Sequence, residues 1–168
     1  MPVYWSMLIF SIIILFFGQQ ATRTLYTSNN QAVYNTSRIL VFASALYIAF
    51  FICLRDEVLD TYAYIATFKN IPTEWNRILT EASDIHTAKG FYYIQSFFKY
   101  FISENHYAWL SFLCLISIGC LFRTYRKYSC DYPLTFFLFI ASTTFSWLLN
   151  GVRQFIVVCI LFAFIDWY

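Results

Sequence analysis

The chain has 168 residues, of which 60% are hydrophobic, 23% aromatic and 12% charged. A soluble globular domain carries about 25% charged residues, so this composition excludes a soluble globule and indicates an integral membrane protein. The net charge of +2 is small and no run rich in Lys and Arg is present, so no nucleic-acid partner is expected.

The first part of the chain contains two apolar runs. Residues 1–22 carry no charged side chain, and without a basic start they predict a retained first span rather than a signal peptide. Residues 22–38 contain Arg23 and Arg38 but no acid, and we expect them to form a polar loop. Residues 39–54 predict a second span, which is short at about 24 Å as a helix.

Residues 55–104 are the one sizeable segment expected outside the membrane, because they contain most of the acidic residues. Near its end, apolar residues recur along one helical stripe, which predicts a helix in the membrane interface or packed on other spans. We favour the interface. The stripe comprises Phe91, Ile94, Phe98, Phe101 and Ile102, and the polar residues elsewhere on the helix are Gln95, Ser96, Lys99 and Ser103.

The second part of the chain predicts three further spans. Residues 105–122 are uncharged and long enough to cross a bilayer, and a basic stretch at 123–127 follows them. As one helix, residues 132–165 would reach about 50 Å against a bilayer core of about 30 Å, so this run must fold back on itself. The strongest turn signal within it is Asn150-Gly151, which predicts the tip between two spans.

These runs predict an all-α fold, a polytopic membrane helix bundle with about five transmembrane helices. We interpret residues 1–168 as a single membrane domain and, because the last run reaches Asp166 early, as the N-terminal part of a longer protein. With the basic loops 22–38 and 123–127 in the cytoplasm, the segment 55–104 and the Asn150-Gly151 tip share the outer face.

Arg153 is the only charged residue between Tyr132 and Ile165. An arginine at the centre of a membrane helix costs about 2.5–3.5 kcal/mol on insertion scales, so it usually faces a partner or a water-filled cavity and marks a site. The alternative is that Arg153 reaches the head groups and has no further role.

Arg55 and Asp60 are expected to emerge at the same boundary as Arg153. Two guanidinium groups suit a phosphate, and a carboxylate suits accepting a proton. Asp60, Tyr64 and Phe68 are spaced at i, i+4 and i+8, so in a helix they would line one side. The alternative for this stretch is a solvated acidic loop edge.

Several segments, taken in this order over roughly residues 50–165, resemble the EpsG/Wzy family of bacterial polysaccharide polymerases. They are Arg55 with Asp60-Thr61-Tyr62-Ala63-Tyr64 and Phe68, then Lys89-Gly90-Phe91-Tyr92-Tyr93-Ile94, then Tyr132-Pro133-Leu134, and finally Asn150-Gly151-Val152-Arg153-Gln154. The resemblance implies a multi-pass glycosyltransferase in the bacterial cytoplasmic (inner) membrane, which joins polyprenyl-diphosphate-linked oligosaccharide repeat units at the outer face. It also implies chain-length regulators and flippases as protein partners beside the lipid bilayer.

The residue roles that we expect follow from that chemistry. A diphosphate leaving group gains negative charge as the glycosidic bond breaks, and preplaced arginines stabilise it, which assigns Arg153 and Arg55 to this task. Asp60 is the candidate base for the acceptor hydroxyl. Asn150 and Gln154 are candidate substrate contacts, and the aromatic residues that could stack on sugars are Tyr62, Tyr64, Trp75 and Trp109. No metal-ligand spacing occurs, and we expect neither a metal nor another cofactor.

Two other functions are compatible with the same residues. A transporter of lipid-linked saccharides could use Arg153 to bind an anionic head group in transit. In a non-catalytic membrane scaffold, Arg55 and Asp60 would form a structural salt bridge, which exchanging the two residues should preserve, whereas a catalytic pair should not survive the exchange.

Overall fold

The computed structural model describes residues 2–18, 22–26, 32–53, 61–84 and 88–165. Helices dominate these ranges, which confirms the predicted helical bundle. The helices are α1 (Pro2–Phe17), α2 (Arg38–Cys53), α3 (Thr61–Asn70), α4 (Trp75–Asp84), α5 (Lys89–Phe101), α6 (His106–Tyr128), α7 (Tyr132–Ala141), α8 (Thr143–Asn150) and α9 (Val152–Ala163).

A β hairpin lies between α1 and α2 in the chain. Its strands are β1 (Thr22–Tyr26) and β2 (Ala32–Thr36), which pair antiparallel with Thr22 opposite Thr36. The loop predicted for residues 22–38 is therefore partly wrong. The polar character is correct, but both strands are rich in Thr, Tyr and Val, which favour extended backbone.

α6 is the centre of the bundle. It packs against α2 and α9, and α1 packs along α7. Aromatic rings fill the core between these helices: Phe122 and Phe136 are buried with their ring centroids 5.9 Å apart. The hydroxyl groups of Ser44 and Tyr132 hydrogen-bond to each other in the same core, so the buried Tyr132 hydroxyl has a partner.

Among the described helices, only α6 is long and apolar enough to cross a membrane by itself. α7 and α8 together meet the same criterion as one span that is bent by 57°. α1, α2 and α9 are apolar but shorter. The predicted number of about five transmembrane helices therefore stays a prediction.

The bent pair α7–α8 is defined by its capping residues. Asp131 accepts a hydrogen bond from the backbone N–H of Leu134 at 3.0 Å, and Pro133 occupies the first turn of α7 as predicted. At the bend, the Ser142 side chain accepts from the backbone N–H of Thr144 at 3.3 Å, while its own N–H bonds to Leu138. Ser142 thus ends one helix and begins the next.

The short helices α3, α4 and α5 occupy much of the segment predicted as an extramembrane loop. α3 and α5 pack against α6 through a cluster in which Phe68 and Trp109 stack with centroids 5.8 Å apart. Val152, at the start of α9, belongs to the same cluster. The Asn150-Gly151 tip and the α3–α5 segment therefore lie at the same end of α6, as the sequence predicts.

The opposite end of α6 is basic. Arg126 donates from Nε to the backbone oxygen of Thr36 in β2 at 3.3 Å. Arg123 and Lys127 are exposed beside it. The two ends of the bundle therefore differ in charge, as the loops of the sequence predict.

The apolar stripe of α5 is divided between the bundle and the outside: Phe98 is buried in the bundle, whereas other members of the stripe are exposed. Gln95 and Ser96 are buried against the bundle, whereas Ile94, Phe101 and Ile102 are 54%, 61% and 60% exposed. An apolar surface directed outward is unfavourable in water but not against lipid. The exposed apolar face of α5 is one that a membrane would cover, and the predicted position of this helix in the interface stays a prediction.

Candidate functional site

A cleft of about 1040 Å³ opens between α5, α6 and the first turns of α9. Most of its lining is apolar, and the polar groups gather at one end, where α8 meets α9. The apolar lining includes Ile94, Phe112, Ile116, Val157 and Ile160, and the polar residues are Tyr64, Asn150, Arg153 and Gln154. The cleft is therefore amphipathic along its length.

Arg153 lies beside two aromatic rings at the polar end of the cleft, and the centroids of these rings are 6.4 Å apart. Its Cζ atom is 5.6 Å from the ring centroid of Tyr64 and 5.7 Å from that of Phe91. Both distances are within the range of cation–π attraction, which holds the guanidinium without consuming its N–H donors. Since the side chain is exposed, those donors can reach a ligand in the cleft.

The start of α9 adds further donors at the same place. Gly151 is its N-cap residue and has no side chain to cap the first turn. The Gly151 carbonyl accepts from Phe155 at 2.8 Å, but the first backbone N–H groups of a helix have no partner within that helix. Together with the helix dipole and the Arg153 charge, they make this end of the cleft suited to an anion.

Asn150, the last residue of α8, is hydrogen-bonded to α3 beside Arg153. Its backbone oxygen accepts from the Tyr64 hydroxyl at 3.4 Å, and its Nδ2 donates to Ser146 at 3.2 Å. Its Oδ1 is buried and has no hydrogen-bond partner among the described residues. Such an atom leaves a hydrogen-bond acceptor available for a ligand hydroxyl or an ordered water.

The structure brings four of the predicted site residues to this cleft, namely Tyr64, Asn150, Arg153 and Gln154. Tyr64 and Phe68 lie on the same side of α3, where Tyr64 is half-buried and Phe68 buried. The predicted alignment of these two residues along one side of a helix is therefore confirmed. Asp60 and Arg55 lie outside the described residues, and their roles stay predictions.

The other aromatic candidates lie elsewhere. Tyr62 is 61% exposed and does not line the cleft. Trp75 packs its ring on Tyr100 with centroids 5.9 Å apart, away from Arg153. Trp109 is 0% exposed at the centre of the α3–α6 cluster, so the expectation that it stacks on a sugar is wrong.

A second, smaller cavity of about 180 Å³ adjoins Arg153 and contains a residue that the sequence analysis did not select. It is lined by Ala63, Tyr64, Thr67, Phe91, Gln95 and Arg153. Gln95 is 1% exposed, and its Nε2 has no hydrogen-bond partner among the described residues. The sequence contains one signal for this residue: Gln95 follows Phe91 by four positions, so in a helix the two residues lie on the same side.

Ala88 marks the mouth of the cleft with an unusual backbone conformation. It precedes α5 and has φ 58° and ψ 34°, the left-handed region that non-glycine residues seldom adopt. Such a conformation costs on the order of 1–3 kcal/mol and is concentrated at functional sites. It supports the choice of this cleft as the site.

A model of the EpsG family matches residues 38–168 of the chain. The matched range begins with α2 and includes the whole lining of both cavities. No curated protein and no solved structure matches the chain.

Proposed function

The chain belongs to the EpsG family, a family of membrane proteins of polysaccharide biosynthesis, and on that premise we propose that it is a polysaccharide polymerase. In this proposal it joins oligosaccharide repeat units carried on polyprenyl diphosphate, at the outer face of the cytoplasmic membrane. The observation that supports it most directly is an exposed arginine at the polar end of a long apolar cleft.

The amphipathic cleft fits an amphipathic ligand. A polyprenyl chain would lie along the apolar part, against Ile116, Val157 and Ile160. Its diphosphate would then reach Arg153 and the first turn of α9. Among the described residues that line the cleft, Arg153 is the only one with a formal charge, which supports this position for the ionic group.

Transfer of the growing chain breaks the bond between the sugar and the diphosphate. Negative charge develops on the leaving oxygen, and a guanidinium that two rings already hold in place stabilises that charge without prior reorganisation. The acceptor hydroxyl must lose its proton during the attack, and Asp60, which directly precedes α3, is the proposed base. Arg55 is the proposed second phosphate contact.

The experiment is the replacement of Arg153 by alanine in the intact protein. We expect long-chain polymer to disappear while the amount of protein in the membrane is unchanged, because the side chain is exposed and belongs to neither of the two main core clusters. Arg77→Ala is the matched control, since Arg77 is an exposed arginine on α4 that lines neither cavity.

The side of the membrane on which lipid-linked repeat units accumulate distinguishes a loss of polymerisation from a loss of transport. Loss of polymerisation leaves repeat units on their lipid carrier at the outer face, whereas loss of transport retains them at the cytoplasmic face. Normal long-chain polymer in the Arg153→Ala strain, or accumulation at the cytoplasmic face alone, would contradict the proposed activity.

A further inference from the structure

The smaller cavity beside Arg153 contains a buried amide nitrogen without a hydrogen-bond partner in the part of the chain that the structure describes. Gln95 comes from α5, and Tyr64 and Thr67 come from α3. Burying an amide N–H without a hydrogen bond carries a free-energy penalty, so native proteins seldom retain one without a reason. An apolar residue of similar size at position 95 would remove that penalty.

Four other buried side-chain atoms of the described segments also have no hydrogen-bond partner, but among their residues only Asn150 lines one of the two cavities beside Arg153. Each hydroxyl in the following set donates to a backbone oxygen of its own helix and belongs to a residue that lines neither of these cavities: Ser11, Ser44, Ser96, Ser117 and Thr124. The side chain of Gln95 is too long to satisfy its amide by such a hydrogen bond to the backbone of its own helix, and it lines a cavity. Its amide nitrogen is therefore free to donate to a ligand.

We propose that this cavity is a subsite for the sugar residue attached to the diphosphate, with Gln95 Nε2 donating to a hydroxyl or carbonyl oxygen of that sugar. The inference rests on the proposed function. Arg153 lines both cavities, so a ligand whose phosphate binds this arginine has its adjoining sugar at the smaller one.

The composition of the cavity fits a sugar better than a second phosphate. Two of its walls are the rings of Tyr64 and Phe91, which suit the apolar C–H face of a pyranose. Gln95 and the exposed Thr67 hydroxyl supply neutral polar groups for its oxygens. The volume of about 180 Å³ equals that of about six waters, the scale of a single ring rather than an oligosaccharide.

The test compares two lipid probes on the purified intact protein. One is sugar-free polyprenyl diphosphate, and the other is the same lipid carrying the saccharide repeat unit. We expect Gln95→Leu to weaken binding of the saccharide form about tenfold, the effect of removing one buried hydrogen bond, and to leave binding of the sugar-free form unchanged. Arg153→Ala should weaken binding of both forms.

Ser96→Ala is the matched control. Ser96 adjoins Gln95 on α5 and is equally buried, but it lines neither cavity, so binding of both lipids should be unchanged. The thermal unfolding midpoint of Gln95→Leu should equal or exceed that of the parent, because an unpartnered amide is removed. Gln95→Met provides the same comparison with a flexible apolar side chain.

The outcomes distinguish this inference from the function on which it rests. If Gln95→Leu binds both lipids as the parent does, the cavity holds only water and the subsite is wrong, while the polymerase proposal stands. Equal weakening of both lipids would assign Gln95 to the phosphate and also overturn the subsite. If the parent binds neither lipid, both proposals fail.

Discussion

The guanidinium of Arg153 is positioned by rings rather than by an opposing carboxylate in the described part of the chain. The guanidinium lies within cation–π range of Tyr64 and Phe91 and still presents N–H groups in a fixed fork, which suits two phosphate oxygens. An ammonium group has the same charge but is more strongly hydrated and lacks the flat face. A positive charge alone at position 153 should therefore not be enough for the full rate of polymer synthesis.

Arg153→Lys tests this difference. We expect polymer synthesis about five to thirty times slower than in the parent, because losing the ring contacts and the bidentate geometry costs on the order of 1–2 kcal/mol. The measurement is the initial rate of polymer formation in isolated membranes supplied with lipid-linked repeat units. Arg77→Lys is the control and should have the parental rate. A parental rate in Arg153→Lys would show that the positive charge suffices.

Arg153 and Gln95 differ in how far sequence reasoning could identify them. Arg153 is a single charge inside a long apolar run, and the cost of burying charge in lipid makes such a residue conspicuous. The sequence placed Gln95 off the apolar stripe of its helix, and polar residues on that side of an amphipathic helix are usually assumed to face water. That assumption fails where lipid is the surrounding solvent, since apolar faces are then equally stable on the outside.

At the scale of the elements, a side chain of α5 caps the C-terminal end of α3. Lys99 donates from Nζ to the backbone oxygens of Phe68, Lys69 and Ile71 at 3.1, 3.0 and 2.5 Å. The last carbonyls of a helix have no partner within it, and a cation also complements the negative end of the helix dipole. The three carbonyl oxygens take the place of water molecules around the ammonium group. Burial lowers the pKa of Lys99, and the charge of Glu104 opposes this effect.

Lys99→Met should therefore loosen α3 and the Tyr64 side chain that it carries. We expect the free energy of unfolding to fall by about 1–3 kcal/mol, the cost of losing charge-assisted hydrogen bonds to these carbonyls, two of which are partly buried. Chemical denaturation in detergent measures it. Lys69→Met, on the exposed side of α3, should change it by less than about 0.5 kcal/mol. Equal stability of Lys99→Met and the parent would contradict a capping role for Lys99.

The sequence predicted most apolar elements well because hydrophobic runs and their polar breaks are local signals. The start of α7 at Asp131 and Pro133 and the α8–α9 junction at Asn150-Gly151 are confirmed. The break at Ser142 was not predicted, since neither proline nor glycine marks it. The β hairpin was missed because cross-strand pairing, rather than composition, decides between a polar loop and two short strands.

For the whole molecule, the described contacts fix which elements share an end of α6. This helix has 23 residues and is about 34 Å long, enough to cross a bilayer core of about 30 Å. Trp109, near its start, belongs to the cluster beside the cleft, and Arg126, near its end, holds β2. With α6 spanning the membrane, the cleft mouth and the basic end lie on opposite sides.

The natural cysteine Cys130 offers a direct test of that topology. It is exposed just beyond the basic end of α6. In a variant whose other cysteines are replaced by alanine, an impermeant thiol reagent should label Cys130 only after the cells are permeabilised. With Cys130 also replaced, Asn76→Cys on α4 is the control and should be labelled in intact cells. Labelling of both positions from one side would contradict the proposed orientation.

The cleft is open along its flank as well as at its mouth. Val157 and Ile160 of its wall are 54% and 37% exposed on the outer surface of α9. With that flank facing acyl chains, a carrier lipid could slide in laterally and never pass through the aqueous phase. On the proposed function, catalytic turnover would then follow the areal density of carrier within the leaflet and the fluidity of that leaflet, instead of any bulk solute concentration.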